Sequence, residues 1–224
     1  MTIAVIIPTF NRIELTQNCL ASINLHDHID QLIIVDNGST DGSNKLATIA
    51  LPTNQGFATA CNIGAAHATT DRLILLNNDT IVHPNWTSFT DLLEQPDIGI
   101  VGPKLIYPDC QIQSAGIAVD FTRPPGLEAW NLNTNWATTP TDVDAITGAC
   151  LAITSNLFQQ LGGFDTGYWN GYEDVDLCLA SIQTGHRNVY DPRATVTHLE
   201  SQSGPQRWTK VTENVTRLRT KWSL

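Results

Sequence analysis

Ile3–Ile7 is an unbroken apolar run that stops at Pro8. Over residues 12–24 the apolar positions then fall at Ile13, Leu15, Cys19, Leu20 and Ile23, a helical spacing. Leu32–Val35 is a second apolar run, closed by Asp36-Asn37-Gly38-Ser39, and a weaker strand is expected near Thr48–Leu51. Gly56–Ala68 reads as a helix of small residues, and Leu73–Leu76 is a strand that runs into Asn77-Asn78-Asp79. Short, wholly apolar strands alternating with helices predict an α/β fold with a Rossmann-like, mostly parallel central sheet and helices on both faces. Ligands of such sheets sit beyond the carboxyl ends of the strands. The clusters Pro8-Thr9-Phe10-Asn11, Asp36-Asn37-Gly38-Ser39 and Asn77-Asn78-Asp79 all fall at that edge, which is therefore the expected site.

The second half changes character. Ile98–Tyr107, Ile112–Val119 and Val143–Ile153 read as longer strands of a smaller mixed sheet. Between the last two lies Asp120–Asp142, rich in Thr, Pro and Asn and carrying Trp130 and Trp136; a loop of that length is usually functional or mobile. A final strand leads into His198. No repeat or internal boundary is evident. The expected organisation is one domain over residues 1–204, with a nucleotide half at about 1–100 and an acceptor half at about 101–204, followed by a basic helix over 205–224.

Composition narrows the class. Hydrophobic residues make up 42% and charged residues 15% of the 224, which predicts a buried core rather than disorder. The five cysteines are scattered and never spaced as CxxC, so a disulfide framework or zinc site is not expected, and a reducing, cytoplasmic setting fits. The N-terminus has no leader pattern, and no run approaches the roughly 18 apolar residues of a membrane span. Net charge is −10, but residues 205–224 carry Arg207, Lys210, Arg217, Arg219 and Lys221 against Glu213, a local +4 that leaves −14 for the rest. An acidic body argues against nucleic-acid binding. The basic tail also holds Trp208 and Trp222, and two readings stay open: a helix touching the inner face of a membrane, or a helix docked on the domain, the latter favoured by its few apolar positions.

The chemistry-bearing residues exclude some classes and suggest another. The turn Pro8-Thr9-Phe10-Asn11-Arg12 has no glycine, and no GxxxxGK[ST] loop follows, so a dinucleotide-binding dehydrogenase and a P-loop NTPase are disfavoured. Asp79 at a strand end is a hard oxygen ligand suited to Mg²⁺ or Mn²⁺ held by a diphosphate, although Asn77-Asn78-Asp79 also reads as an ordinary polar turn. Glu173, Asp174 and Asp176 open a helix; acids there complement its dipole, and one of them is placed to take a proton from an acceptor hydroxyl. His198 is a second candidate ligand from the far end of the chain.

Together these pieces resemble family 2 glycosyltransferases of the GT-A fold, especially the bacterial rhamnosyltransferase-like group. Val5-Ile6-Ile7-Pro8-Thr9-Phe10-Asn11-Arg12 looks like the family's opening strand and turn, and Val35-Asp36-Asn37-Gly38-Ser39-Thr40-Asp41-Gly42 like its nucleotide turn. Asn54-Gln55-Gly56-Phe57-Ala58 with Asn62-Ile63-Gly64, then Thr147-Gly148-Ala149-Cys150, then Gly162-Gly163-Phe164-Asp165, continue the likeness in order. The resemblance implies nucleotide-sugar contacts from Pro8, Thr9, Asn11, Asp36, Gly56, Asn62, Asn77 and Asn78, with Asp36 accepting from the base. It implies Asp79 and His198 at a Mg²⁺ or Mn²⁺ ion, and Asp174 as general base with Glu173 as runner-up. Asn77 departs from the DxD-like pattern, where Asp is usual. Many relatives also continue into C-terminal helices of which little is seen here.

The implied reaction is a single displacement that inverts the anomeric carbon of a UDP-, dTDP- or GDP-sugar, with a glycan, a lipid-linked glycan or a protein as acceptor. Trp130, Trp136, Trp169 and Glu173 are candidates for the acceptor side, whose walls are expected in Asp120–Asp142 and Tyr168–Tyr172. The rival from another class is a nucleotide-sugar-binding module, or a domain of a larger assembly, without transferase activity of its own. A nucleotidyltransferase is disfavoured for want of a glycine- and lysine-rich triphosphate loop.

Overall fold

The computed structural model describes residues 1–24, 29–134, 136–200 and 209–222. Strands β1 (Ile3–Thr9), β2 (Gln31–Asp36), β3 (Ile49–Ala50) and β4 (Arg72–Leu76) pair in parallel in the order β3-β2-β1-β4. Beyond β4 come β11 (Cys150–Thr154), β6 (Ile98–Ile106) and β12 (Arg187–His198). Only β11 is reversed along this path, being antiparallel to both β4 and β6 while β12 runs parallel to β6. Helices α1 (Ile13–Asn24), α2 (Phe57–His67), α3 (Ser155–Gln160) and α4 (Glu173–Gln183) cover the faces, with a 3-10 segment over Trp86–Glu94.

The strands read as continuous apolar runs because both faces are buried. Ile6, Leu73, Leu75, Leu151 and Ile153 point into one core layer, against Cys61 of α2 and Leu157 of α3. Val5, Ile7, Ile74, Leu76 and Ala152 point into the other, against Cys19 of α1 and Trp86 and Phe89 of the 3-10 segment. Each fully buried Ile or Leu contributes about 1.5–3 kcal/mol. The small residues of α2 have a packing reason: a Cβ on Gly64 would sit 2.5 Å from Ile6 Cγ2.

The structure redraws several expected boundaries. β1 does not stop at Pro8 but continues to Thr9 beside β2. Its pairing with β4 ends at Ile6, so the missing Pro8 N–H leaves no ladder bond unmade on that side. The expected strand over 112–119 breaks at Gly116 (φ +95°) into β7 (Ile112–Ser114), on β6, and β8 (Ile117–Val119). β8 pairs with β9 (Ala129–Asn131) in a separate antiparallel ribbon, so the smaller sheet is antiparallel rather than mixed. The expected strand over 143–153 is likewise two: β10 (Thr141–Val143), on β12, and β11. Residues 120–142 therefore hold β9 and part of β10. An apolar run shows burial and not the turns inside it, and these breaks left little trace in the pattern. A short strand that the pattern did not suggest, β5 (Thr80–Val82), pairs with the end of β12, His198 opposite Thr80.

Helix α5 (Val211–Trp222) docks on the domain. Val215 and Leu218 are buried, Arg217 pairs with Asp165 at 2.8 Å, and Lys221 with Asp176 at 2.8 Å. Arg219 donates to the carbonyls of Phe121 and Arg123. These three cations of the basic tail thus face the protein; Arg207 and Trp208 lie outside the described residues. Among the described residues no helix is long and apolar enough to cross a membrane. The five cysteines are free thiols, all buried but Cys110.

Candidate active site

The carboxyl ends of β1, β2 and β4 open into a cleft of about 180 Å³. Pro8 and Thr9 at the end of β1 line it with Phe10 and Arg12 just beyond, Asn37 after β2, and Asn77, Asn78 and Asp79 after β4. Thr147, Gly148 and Ala149, which separate β10 from β11, form another part, and Asn170, Gly171, Glu173, Asp174 and His198 complete it.

The residues expected on the donor side divide into two groups. Thr9, Asn77 and Asn78 line the cleft, but the Thr9 hydroxyl is tied to that of Thr16 at 2.8 Å, and the Asn78 amide donates to both. Asp36 is buried; its Oδ2 accepts from the Ser39 amide, and its Oδ1 has no partner among the described residues. That oxygen is a buried, unsatisfied acceptor, and Asp36, like Asn11 and Gly56, is not among the residues that line the cleft. Asn11, at φ +56°, braces two turns by donating its amide to Ser39 Oγ and accepting from Thr40. Gly56, at φ +85°, starts α2 beneath the Trp169 ring. Asn62 does not reach the cleft: it accepts from the Phe164 amide at 2.9 Å and donates to the Phe164 carbonyl at 2.8 Å, pinning the Gly163–Phe164 turn to α2.

Asp79 and His198 meet at one corner. Asp79 Oδ1 is 3.2 Å from His198 Nε2, and Asn77 Nδ2 lies 3.3 Å from the same nitrogen. The β5–β12 pairing and the bond from the Leu199 amide to the Asp79 carbonyl (2.9 Å) bring them together. On the other side of the ring, His198 Nδ1 is 2.7 Å from Gln113 Oε1. Gln113 Nε2 reaches the His198 carbonyl and Glu200, which turns its amide oxygen toward the imidazole. The nearby Cys19 thiol is pushed up to about 12 by burial, so it stays protonated and offers no thiolate. Among the described residues no third His, Cys, Asp or Glu completes a cluster.

The acidic segment enters from the far wall. Asp174 Oδ2 accepts from the Gly148 amide at 2.7 Å, and Oδ1 from the Val175 amide at 2.8 Å. These two main-chain bonds orient the Asp174 carboxylate in the wall of the cleft. Glu173 Oε2 accepts from the Gly171 amide at 2.6 Å and so closes the preceding turn. Asp176 turns away, toward Tyr168, Lys221 and Trp222. The tryptophans do not line the cleft. Trp130 lies under Arg123, Trp136 stacks on Tyr190 and donates to the Ala115 carbonyl, and Trp169 sits between Gly56 and Lys210.

Several lining residues escaped sequence reading. Asn37 joins β2 to the Asn54–Gly56 loop, accepting from Gln55 and donating to the Gly56 carbonyl. Arg12 brings a cation to the mouth. Both lie inside motifs that were quoted, yet nothing in residue type separated them from their neighbours. Gln113 had no sequence signal at all, because its role depends on β7 lying beside β6 and hence near the end of β12.

Comparison with known proteins agrees with this architecture. Over 63% of its length the chain is 32% identical to an O-antigen biosynthesis protein of Myxococcus xanthus, of which it covers 12%. It is 28% identical, over 82% of its length and 71% of the relative's, to an N-acetylglucosaminyl-diphospho-decaprenol L-rhamnosyltransferase of Mycobacterium tuberculosis. The chain spans 25% or less of the first curated relatives it matches. In fold it resembles GalNAc-T7, solved with UDP, GalNAc and Mn²⁺, at a TM-score of 0.78 and 18% identity, over 99% of this chain and 48% of that one. The model of glycosyl transferase family 2 matches residues 4–116, half of the chain, and with a GT-A fold around the cleft the chain belongs to that family.

Proposed function

We propose that the chain is an inverting, metal-assisted glycosyltransferase that moves a sugar from a nucleotide-diphosphate sugar to an acceptor hydroxyl, with Asp174 as the general base. The reading rests on one observation: the Asp79–His198 pair and the cleft-facing Asp174 share one cleft at the carboxyl edge of a family 2 sheet.

The donor set at the first corner fits a divalent ion. The Gln113 amide oxygen can accept only from a protonated Nδ1, and a neutral His198 so oriented would present its Nε2 lone pair beside the Asp79 carboxylate. Two electron-rich atoms converging on one point, with an amide beside them, suit Mg²⁺ or Mn²⁺ already carrying diphosphate oxygens. Asp79 and His198 would hold it, and Asn77 would bind through its amide or through water. Such an ion, when bound, neutralises charge on the departing diphosphate.

The protein's own residues do the rest. Asp36, with its open Oδ1, accepts from the base of the nucleotide; Thr9 and Asn78 shape the floor beneath it. Asp174 takes the acceptor proton as the acceptor oxygen bonds to the anomeric carbon, and the carbon–oxygen bond to the diphosphate breaks with its electron pair. One displacement inverts the centre, and positioning of the two substrates supplies much of the rate. The donor class is UDP-, dTDP- or GDP-sugar, and the acceptor is a glycan, lipid-linked or protein hydroxyl. The names of the Myxococcus and mycobacterial relatives support a lipid-linked or cell-surface glycan. The test is incubation with each donor and Mn²⁺, following the anomeric configuration of the product or of slow hydrolysis by NMR. Retention, or no turnover with any donor, overturns the reading.

A further inference from the structure

The turn that delivers Asp174 is held from two sides, and only one of them belongs to the cleft. Asn170 and Tyr172 both adopt left-handed backbone, at φ +51° and +73°. Residues other than glycine are strained there and persist only where the surroundings fix them. From the cleft side, Asn170 Oδ1 accepts from the Phe57 amide at the start of α2 (3.0 Å), and Glu173 closes on Gly171.

The other side is α5. Asn214 is 3% exposed, yet its amide makes three bonds to the turn: Oδ1 accepts from the Trp169 amide at 3.0 Å, and Nδ2 donates to the carbonyls of Trp169 at 2.9 Å and Gly171 at 3.0 Å. A buried side-chain amide is costly unless satisfied, and this one is satisfied by main chain alone. The same helix grips both flanks of the turn. Arg217 is bidentate on Asp165, and Lys221 and Trp222 both reach Asp176, in the first turn of α4 and two residues beyond Asp174.

Resting on the reading of Asp174 as base, we infer that Asn214 is a positioning residue: it fixes the strained Trp169–Tyr172 turn and thereby aims Asp174 at the acceptor oxygen. Asn214 touches neither the cleft nor, by this geometry, either substrate. Its loss therefore lowers kcat and leaves the donor KM in place, because the donor lies on the β1–β4 side of the cleft.

The test compares Asn214→Ala, which removes all three bonds, with Asn214→Asp, which keeps the acceptor for Trp169 and loses both donors. Thr220→Ala, on the exposed side of α5, is the control. Without any ligand, amides of residues 168–175 should exchange about tenfold faster in Asn214→Ala, while β1, β4 and β11 keep wild-type protection. With Mn²⁺ and whichever of UDP-, dTDP- or GDP-sugar the wild type hydrolyses, kcat should fall at least about tenfold at an unchanged donor KM, and at least as far in Asn214→Asp, whose second oxygen faces the Trp169 and Gly171 carbonyls. Unchanged exchange over 168–175 overturns the inference, as does wild-type kcat or a loss confined to KM. If the wild type turns over no donor, the transferase reading fails, and the exchange experiment alone decides the clamp. Should Asn214→Ala not fold, Asn214→Asp is read by the same criteria.

Discussion

Asp79 Oδ1 lies 3.2 Å from His198 Nε2, although Asp79 follows the fourth strand and His198 ends the last. In the function proposed above, this pair would supply two of the ligands of a divalent cation. Wild-type protein should melt higher in the presence of UDP and Mn²⁺ than with either alone; saturation at 100 times Kd corresponds to about 2.7 kcal/mol. Asp79→Ala should lose most of that rise while its unliganded melting stays within a few degrees of wild type. A variant that keeps the full Mn²⁺-dependent rise sinks the ligand assignment.

Gln113 orients the ring from behind. Replacing it with Leu removes the acceptor for His198 Nδ1 and frees the imidazole to turn. Supporting groups of this kind typically change metal affinity by about 10–100-fold. Mn²⁺ titration followed by electron paramagnetic resonance, with UDP present, should show weakening in that range for Gln113→Leu. Unaltered affinity would mean that packing alone holds His198.

For Asp174 the expected split is between turnover and binding. Asp174→Asn keeps the size of the side chain and removes its basicity. Turnover should drop by about 10²–10⁴, the usual contribution of a positioned base, whereas donor and Mn²⁺ affinity should stay within a few-fold. Wild-type turnover in this variant would transfer the role to another group, with Glu173 first in line.

Acid should loosen α5 through Asp165. Partial burial raises the pKa of this carboxyl, but the Gly167 amide and the Arg217 and Lys221 cations outweigh it and leave the value below the ordinary 3.8. A folded-state pKa below the unfolded one contributes stability that is complete above the unfolded value and disappears as pH falls through the folded one. The stability gap between wild type and Asp165→Asn should therefore be constant at neutral pH and close below about pH 4. A gap that persists unchanged at pH 2 would show that the Asp165–Arg217 contact acts through packing rather than charge.

Some of this was legible from residue order. Apolar runs flanked by polar turns located β1, β2, β4, α1 and α2, because strands buried on both faces must be apolar throughout and helices repeat every 3.6 residues. The carboxyl-edge clusters placed the cleft for the same reason. Less legible was the second half, where Gly116 and the Thr147–Ala149 segment break apolar runs into strands that pair with different partners. Asn62 was also misplaced: its neighbourhood suggested the donor, but its helical position turns it onto Phe164.

The sequence by itself determined the sheet, its polar edge and the residue types able to bind a cation or take a proton, since these follow from local hydrophobicity and side-chain chemistry. Only the tertiary structure decided which of them meet. His198 reaches Asp79 because β5 pairs antiparallel with the end of β12, and Gln113 reaches His198 because β7 pairs with β6. Asp174 faces the cleft because the Gly148 amide holds it, and the turn before it is set by Asn214 from a helix far along the chain. Such contacts join residues whose separation in sequence carries no periodicity, so no local pattern records them; they exist only once strand pairing has brought the segments side by side.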